Sequence, residues 1–91
     1  MSDGSKGGHA LPPGVYRHYK GGLYRVHAIG YIHETLEPVV VYESLQDAGD
    51  FPSGTFFTRP YFQFTETIML KDTGEEVERF TYQSDYDHWI L

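Results

Sequence analysis

The run of apolar and polar positions becomes regular at Gly14. Val15 to Lys20 and Leu23 to Ile32 alternate between the two kinds on either side of Gly21-Gly22. A period of two predicts half-buried strands, and a central glycine pair predicts a two-residue turn whose positive φ glycine tolerates. In that register Lys20 faces Leu23, His18 faces Arg25 and Tyr16 faces His27. One face then carries Tyr16, His18, Lys20, Arg25 and His27, and the other carries Val15, Arg17, Tyr19, Tyr24, Val26 and Ala28. The second set is the more apolar. It is expected to cover the core and to leave the first as an outward patch of aromatics, imidazoles and cations.

Pro38 opens Val39-Val40-Val41-Tyr42, an unbroken apolar run that suits a strand covered on both faces. Gln46 to Gly54 is rich in turn formers and predicts a loop. Thr55 to Arg59 resumes a short strand. Pro60 suits the first position of one helical or 3₁₀ turn through Phe64, because its φ is preset for that role. Phe64 to Leu70 and Val77 to Tyr82 flank Asp72-Thr73-Gly74, a hairpin loop with glycine where a left-handed residue belongs. No window repeats apolar residues at helical spacing over a dozen positions. The pattern predicts a mainly β protein, a small SH3-like partly open barrel of five or six antiparallel strands with one short helical turn. Residues 13–82 form this single domain. Residues 1–12 read as a flexible Gly- and Ser-rich tail, and 83–91 as an acidic aromatic tail whose Trp89 and Ile90 dock on the barrel or on a partner.

Composition narrows the picture. A chain of 91 residues makes one small domain, which buries only about 60–65% of its unfolded surface. The 16% of aromatic residues must therefore carry much of the packing. The absence of Cys excludes a disulfide framework and a thiolate metal site. No stretch approaches the ~18 consecutive apolar residues of a membrane helix, and the opening lacks the apolar core of a signal peptide. The expectation is a soluble cytoplasmic protein with no membrane partner. Its net charge of -6 divides unevenly, with residues 1–33 summing to +3 and residues 34–91 to -9. Aromatics between cations are a recipe for stacking bases. Here a pI near 5.1 and the run of Glu75, Glu76 and Glu78 argue against nucleic acid as partner.

His33-Glu34-Thr35-Leu36-Glu37 offers one imidazole and two carboxylates within five residues. It lacks the second His of a zinc pair such as H-E-x-x-H. One reading is a turn in which Glu34 and Thr35 satisfy loop backbone groups and Pro38 stops the turn. The other is a small enzyme or metal site built on His33, Glu34 and Glu37 with His18 or His27 contributed across the sheet, which requires that those groups converge. No G-x-S-x-G motif and no glycine-rich phosphate loop is present. Arg59 stands between Phe56-Phe57 and Tyr61-Phe62-x-Phe64, and Arg79 precedes Phe80. Each is placed to lie over a ring, as internal support or as a ligand clamp.

The residues Gly14-x-Tyr16-Arg17-His18-Tyr19-Lys20-Gly21-Gly22-x-Tyr24-Arg25-Val26, then Glu34-Thr35-Leu36-Glu37-Pro38-Val39-Val40-Val41-Tyr42, then Arg59-Pro60 and Arg79-Phe80 resemble the small bacterial family called domain of unknown function 1653. The resemblance covers Pro13 to Tyr82. It implies a compact, mostly β domain found alone as a short bacterial protein, with no established activity, substrate or cofactor. It singles out Tyr16, His18, Tyr19, Lys20 and Gly21, then Glu34, Thr35 and Glu37-Pro38, then Arg59-Pro60. Where the family reads His-Ser-Glu-Thr, this chain has Ile32-His33-Glu34-Thr35, which moves the histidine by one position and so to the other face of a strand. The expectation is a non-enzymatic binding or interaction module, monomeric or weakly homodimeric, with no cofactor. Its ligand residues are Tyr16, His18, Lys20, Arg25, His27, Glu34 and Arg59, and its partner is an anionic peptide or small metabolite.

Overall fold

The computed structural model describes residues 9–84. Within them run β1 (Gly14–His18), β2 (Leu23–Tyr31), β3 (Pro38–Ser44), β4 (Phe56–Pro60), the single-turn helix α1 (Tyr61–Phe64), β5 (Thr67–Met69), β6 (Glu76–Glu78) and β7 (Phe80–Tyr82). Five strands form one antiparallel sheet in the order β4-β3-β2-β1-β7, and β5 and β6 form a separate two-stranded sheet. The larger sheet does not close on itself, so the fold is mainly β and open, with one helical turn.

The register of the first hairpin differs from the expectation. Val15 pairs with Arg25, Tyr16 with Tyr24 and Arg17 with Leu23, so the chain turns through residues 18–22 rather than through Gly21-Gly22 alone. The turn is closed by the His18 amide donating to Gly22 O at 2.7 Å and the Gly21 amide donating to His18 O at 2.7 Å. Only Gly21 is left-handed, at φ 113°. Gly22 serves close approach instead, since a Cβ there would lie 3.1 Å from Tyr24 Cε2. A slip of an odd number of positions reverses which residues of β2 share a face with those of β1. Tyr16 therefore points inward at 4% exposure, beside Tyr24 and Val26, while Arg25 falls on the opposite side of the sheet. The expected single outward patch is divided between two faces. Arg17 and Tyr19, expected to line the core, are exposed.

A bulge follows in β2. Val26 pairs with Tyr42 and Ala28 with Val41, which leaves His27 as the extra residue and returns Ile29 to the core side opposite Val40. In β3 the buried positions are Pro38, Val40, Tyr42 and Ser44, whereas Val39 and Val41 are half-buried. The valine run is thus covered fully on one face only, and the middle strand of the sheet is β2. The buried Ser44 hydroxyl donates to Gln46 O, and Gln46 in turn accepts from the Leu23 amide at 2.8 Å. That is where a buried polar group must find its partner.

The main core cluster holds Tyr16, Val26, Val40, Tyr42, Phe64 and Phe80, mostly aromatic, as the composition demanded. Phe64 reaches it because α1 folds the chain back over the sheet. The helical turn starts at Tyr61 with Pro60 as its N-cap, and Thr65 closes it by donating its amide to Tyr61 O at 3.1 Å. The second hairpin pairs Ile68 with Val77, and Gly74 takes the left-handed position at φ 71°. Its continuation breaks at Arg79, which splits the expected Val77 to Tyr82 strand between the two sheets. Before the first strand, the Tyr61 hydroxyl donates to Ala10 O at 2.8 Å and the Tyr16 hydroxyl to Pro12 O at 2.7 Å, while Leu11 packs on the core. The reading of Trp89 and Ile90 as docking residues falls outside the described residues. Among the described residues no helix is long and apolar enough to cross a membrane.

Candidate functional site

On the core side of the sheet, alternation carries Tyr16 and His18 along β1, with His18 opposite Phe80 of β7. The same face receives Tyr24 from β2, Tyr42 from β3 and Arg59 from β4, because Arg59 pairs with the buried Val40. Towards the His18 end of this face the apolar core gives way to charge. The His18 ring meets Phe80 edge-on at 4.9 Å, and the Arg59 guanidinium carbon stands 5.9 Å from the centroid of that same ring. Arg59 Nε also donates to the Tyr42 hydroxyl at 3.4 Å. The ring that Arg59 covers is thus Phe80, distant in sequence, and none of the aromatics flanking it.

The Lys20 amide donates to His18 Nδ1 at 3.1 Å. An accepting Nδ1 places the proton of the neutral imidazole on Nε2. The His18 pKa lies below the ordinary histidine value, through burial first and then through the positive charges of Arg59, Arg79 and Lys20. Arg79 is held in place: it pairs with Glu66 and donates Nε to Gln63 O at 3.1 Å. It is a structural tie between the hairpin and the main sheet rather than a ring-stacking clamp. Lys20 and Arg59 form no ion pair among the described residues. Beside the imidazole stand two cations without an ion-pair partner among the described residues, Lys20 with its Nζ 5.7 Å from the Tyr19 ring centroid and Arg59 over Phe80. A cavity of about 200 Å³ is lined by Arg17, His18, Tyr19, Leu70, Val77, Glu78 and Thr81, and neither Lys20 nor Arg59 borders it.

The other residues singled out in the sequence lie elsewhere. Tyr16 is interior. His27 sits on the bulge of β2, with Nε2 2.8 Å from Glu43 Oε1 and its ring stacked on Phe56 at 4.9 Å. Arg25 lies opposite Val15 and Glu43, away from His18. Glu34 is exposed in the turn after β2. That turn is closed by the Leu36 amide donating to Ile32 O at 2.6 Å and the Ile32 amide donating to Glu37 O at 2.9 Å, while Thr35 Oγ1 accepts from the Glu37 amide at 3.2 Å. His33, Glu34 and Glu37 are all exposed there, and no group of three or more His, Asp or Glu able to hold a metal exists among the described residues. The turn and His18 stand at opposite ends of β2, a separation of about 26 Å at the usual rise per strand residue. The convergence required of a site joining His33, Glu34 and Glu37 with His18 or His27 does not occur, since His18 is at the other end of β2 and His27 pairs with Glu43.

Tyr42, Arg79 and Phe80 complete the group around His18, and none was marked for it by sequence. Arg79 followed by Phe80 carried only a local signal for stacking, since the break that places them between two sheets depends on β1.

The family model described as protein of unknown function (DUF1653) matches residues 14–82, which contain every strand among the described residues. A crystal structure of a DUF1653 protein from Bordetella bronchiseptica is similar, with 37% sequence identity and a TM-score of 0.68, covering 80% of this chain and 87% of that one. No curated protein matches the chain at a significant level. By the span of the match and the shared fold, the chain belongs to the DUF1653 family.

Proposed function

We propose that the protein is a non-enzymatic binding module that takes the carboxylate or phosphate of an acidic peptide or small metabolite where His18, Lys20 and Arg59 meet. The observation that carries this reading is the pair of cations, Lys20 and Arg59, left without an ion-pair partner among the described residues beside a half-buried imidazole. Their chemistry is complementary. Nε2 of His18 donates one hydrogen bond, the terminal nitrogens of Arg59 form a fork suited to a planar or tetrahedral oxyanion, and Lys20 adds a mobile point charge. Tyr42 and Phe80 fix the guanidinium from below, which limits the side-chain freedom lost when an anion binds. A lone imidazole between one held and one mobile cation binds and orients charge. General acid–base chemistry needs a second oriented group, and Glu66 is held by Arg79.

The test is an amide chemical-shift titration of the labelled protein with inorganic phosphate, acetate and a short acidic peptide. Saturable shifts at His18, Lys20 and Arg59 are expected. The double substitution Lys20→Glu, Arg59→Glu is expected to abolish them while the remaining amide spectrum stays folded. Undiminished affinity in the double variant would move the site elsewhere.

A further inference from the structure

We infer that Tyr31, Tyr61 and Phe62 form an aromatic seat for an imidazole side chain, which His9 fills from within the chain and which a histidine-bearing peptide from another molecule enters when His9 leaves. The seat is a different site from the cation group around His18 and is argued independently of it. Three rings surround the His9 imidazole: Tyr61 at 5.0 Å and 64°, Phe62 at 5.5 Å and 81°, and Tyr31 at 6.1 Å and 59°. Tilted and edge-to-face arrangements at these distances are the favourable geometries between a ring quadrupole and a polar heteroaromatic. His9 Nδ1 lies 3.4 Å from the Tyr31 hydroxyl, a polar contact that an apolar ring of the same size could not make.

The walls belong to the folded domain. Tyr31 ends β2, and Tyr61 and Phe62 open α1, where they stand perpendicular to each other at 5.3 Å. All three lie within the residues matched by the family, whereas His9 lies before them. The occupant is thus an appendage, and the seat is part of the domain to which it is appended. With His9 in place Phe62 is still 65% exposed and Tyr31 38% exposed, so the seat opens to solvent. The segment behind His9 is anchored separately, by the hydroxyls of Tyr61 and Tyr16 on Ala10 O and Pro12 O and by Leu11 on the core. His9 can therefore leave its seat without the segment coming away.

The experiment uses the full chain and free imidazole as probe, read by the aromatic ring signals of Tyr31, Tyr61 and Phe62. His9→Ala is expected to show saturable shifts of those rings at a several-fold lower imidazole concentration than the unaltered protein needs, because apparent affinity falls with the fraction of molecules in which His9 leaves the seat open. His9→Ala combined with Phe62→Ala, which removes an exposed wall, is expected to lose the response. Equal imidazole affinity with and without His9 would overturn the internal occupant. An absence of ring shifts in His9→Ala would overturn the seat itself.

Discussion

The ring of Phe80 lies flat on that of Phe64, with centroids 3.9 Å apart and planes 4° from parallel. One ring comes from the edge strand β7 and the other from α1, so this contact fastens the helical turn to the far side of the sheet. Tyr16 and Tyr42 meet Phe64 edge-on, at 5.6 Å and 5.3 Å. Phe64→Ala is expected to lower unfolding free energy by about 3–5 kcal/mol, as for large-to-small changes in packed cores. Denaturant titration measures it. A loss below ~1 kcal/mol would mean that the sheet does not depend on α1 for cover.

His18 makes stability depend on pH. Its folded pKa is depressed below the ordinary 6.5 by burial and by Arg59, Arg79 and Lys20. As pH falls, the unfolded chain takes up the proton first, so stability is lost between the unfolded value and the lower folded one. Thermal melts at pH 7.5 and 5.5 should show a smaller difference for His18→Gln than for the unaltered protein. An unchanged difference would show that the ring is not held neutral. An anion bound beside the imidazole favours its charged form, so phosphate should narrow the gap.

Leu36 occupies the left-handed region at φ 61°, where a residue with Cβ is strained, and it is 57% exposed. Leu36→Gly is expected to raise stability by about 0.5–1 kcal/mol, the relief of strain exceeding the added freedom of the unfolded chain. Thr35→Ala, which removes the acceptor of the Glu37 amide, should cost a similar amount. Opposite signs at adjacent positions in equilibrium unfolding would support the turn geometry.

Gly22→Ala places a methyl group 3.1 Å from Tyr24 Cε2 and 3.3 Å from Gln46 Nε2. The expected cost is about 1 kcal/mol, at the low end for overpacking, because the Tyr24 ring and the Gln46 amide must each shift by a few tenths of an ångström. Gly21→Ala meets no neighbour within 4 Å but carries φ 113°, so its cost comes from backbone strain alone. Restoring space with Tyr24→Phe, which removes the hydroxyl 3.2 Å from the added methyl, should rescue part of the Gly22 loss and none of the Gly21 loss.

The same glycine pair marks where sequence reasoning stopped. Alternation located β1 and β2, the unbroken apolar run after Pro38 located β3, the end of the turn-rich loop at Gly54 located β4, Pro60 announced the turn before Phe64, and Gly74 announced the second hairpin, because each of these signals is local. Register is different. Gly21-Gly22 is locally an adequate two-residue turn, yet the chain pairs Tyr16 with Tyr24 and bonds β7 along β1, an arrangement in which Tyr16 and Phe80 are both buried. That choice depends on residues distant in the chain, and it turned Tyr16 inward and separated Arg25 from His18. Arg59 was recognisable as an arginine among rings, but Phe80 reaches it only through the sheet. For the turn at residues 33–37, the pattern allowed both a turn and a convergent site, and only backbone geometry separates the two.

β1 has its neighbours at the two extremes of the domain, β2 just after it and β7 at Phe80–Tyr82. During synthesis the chain leaves the ribosome at about 5–20 residues per second, so the outer edge of β1 waits some seconds for the strand that completes it. Through that interval Tyr16 and His18 lack the cover of Phe80. Assembly of the sheet is thus tied to completion of the domain, and a product ending before Phe80 would expose an aromatic strand edge of the kind that chaperones and proteases act on.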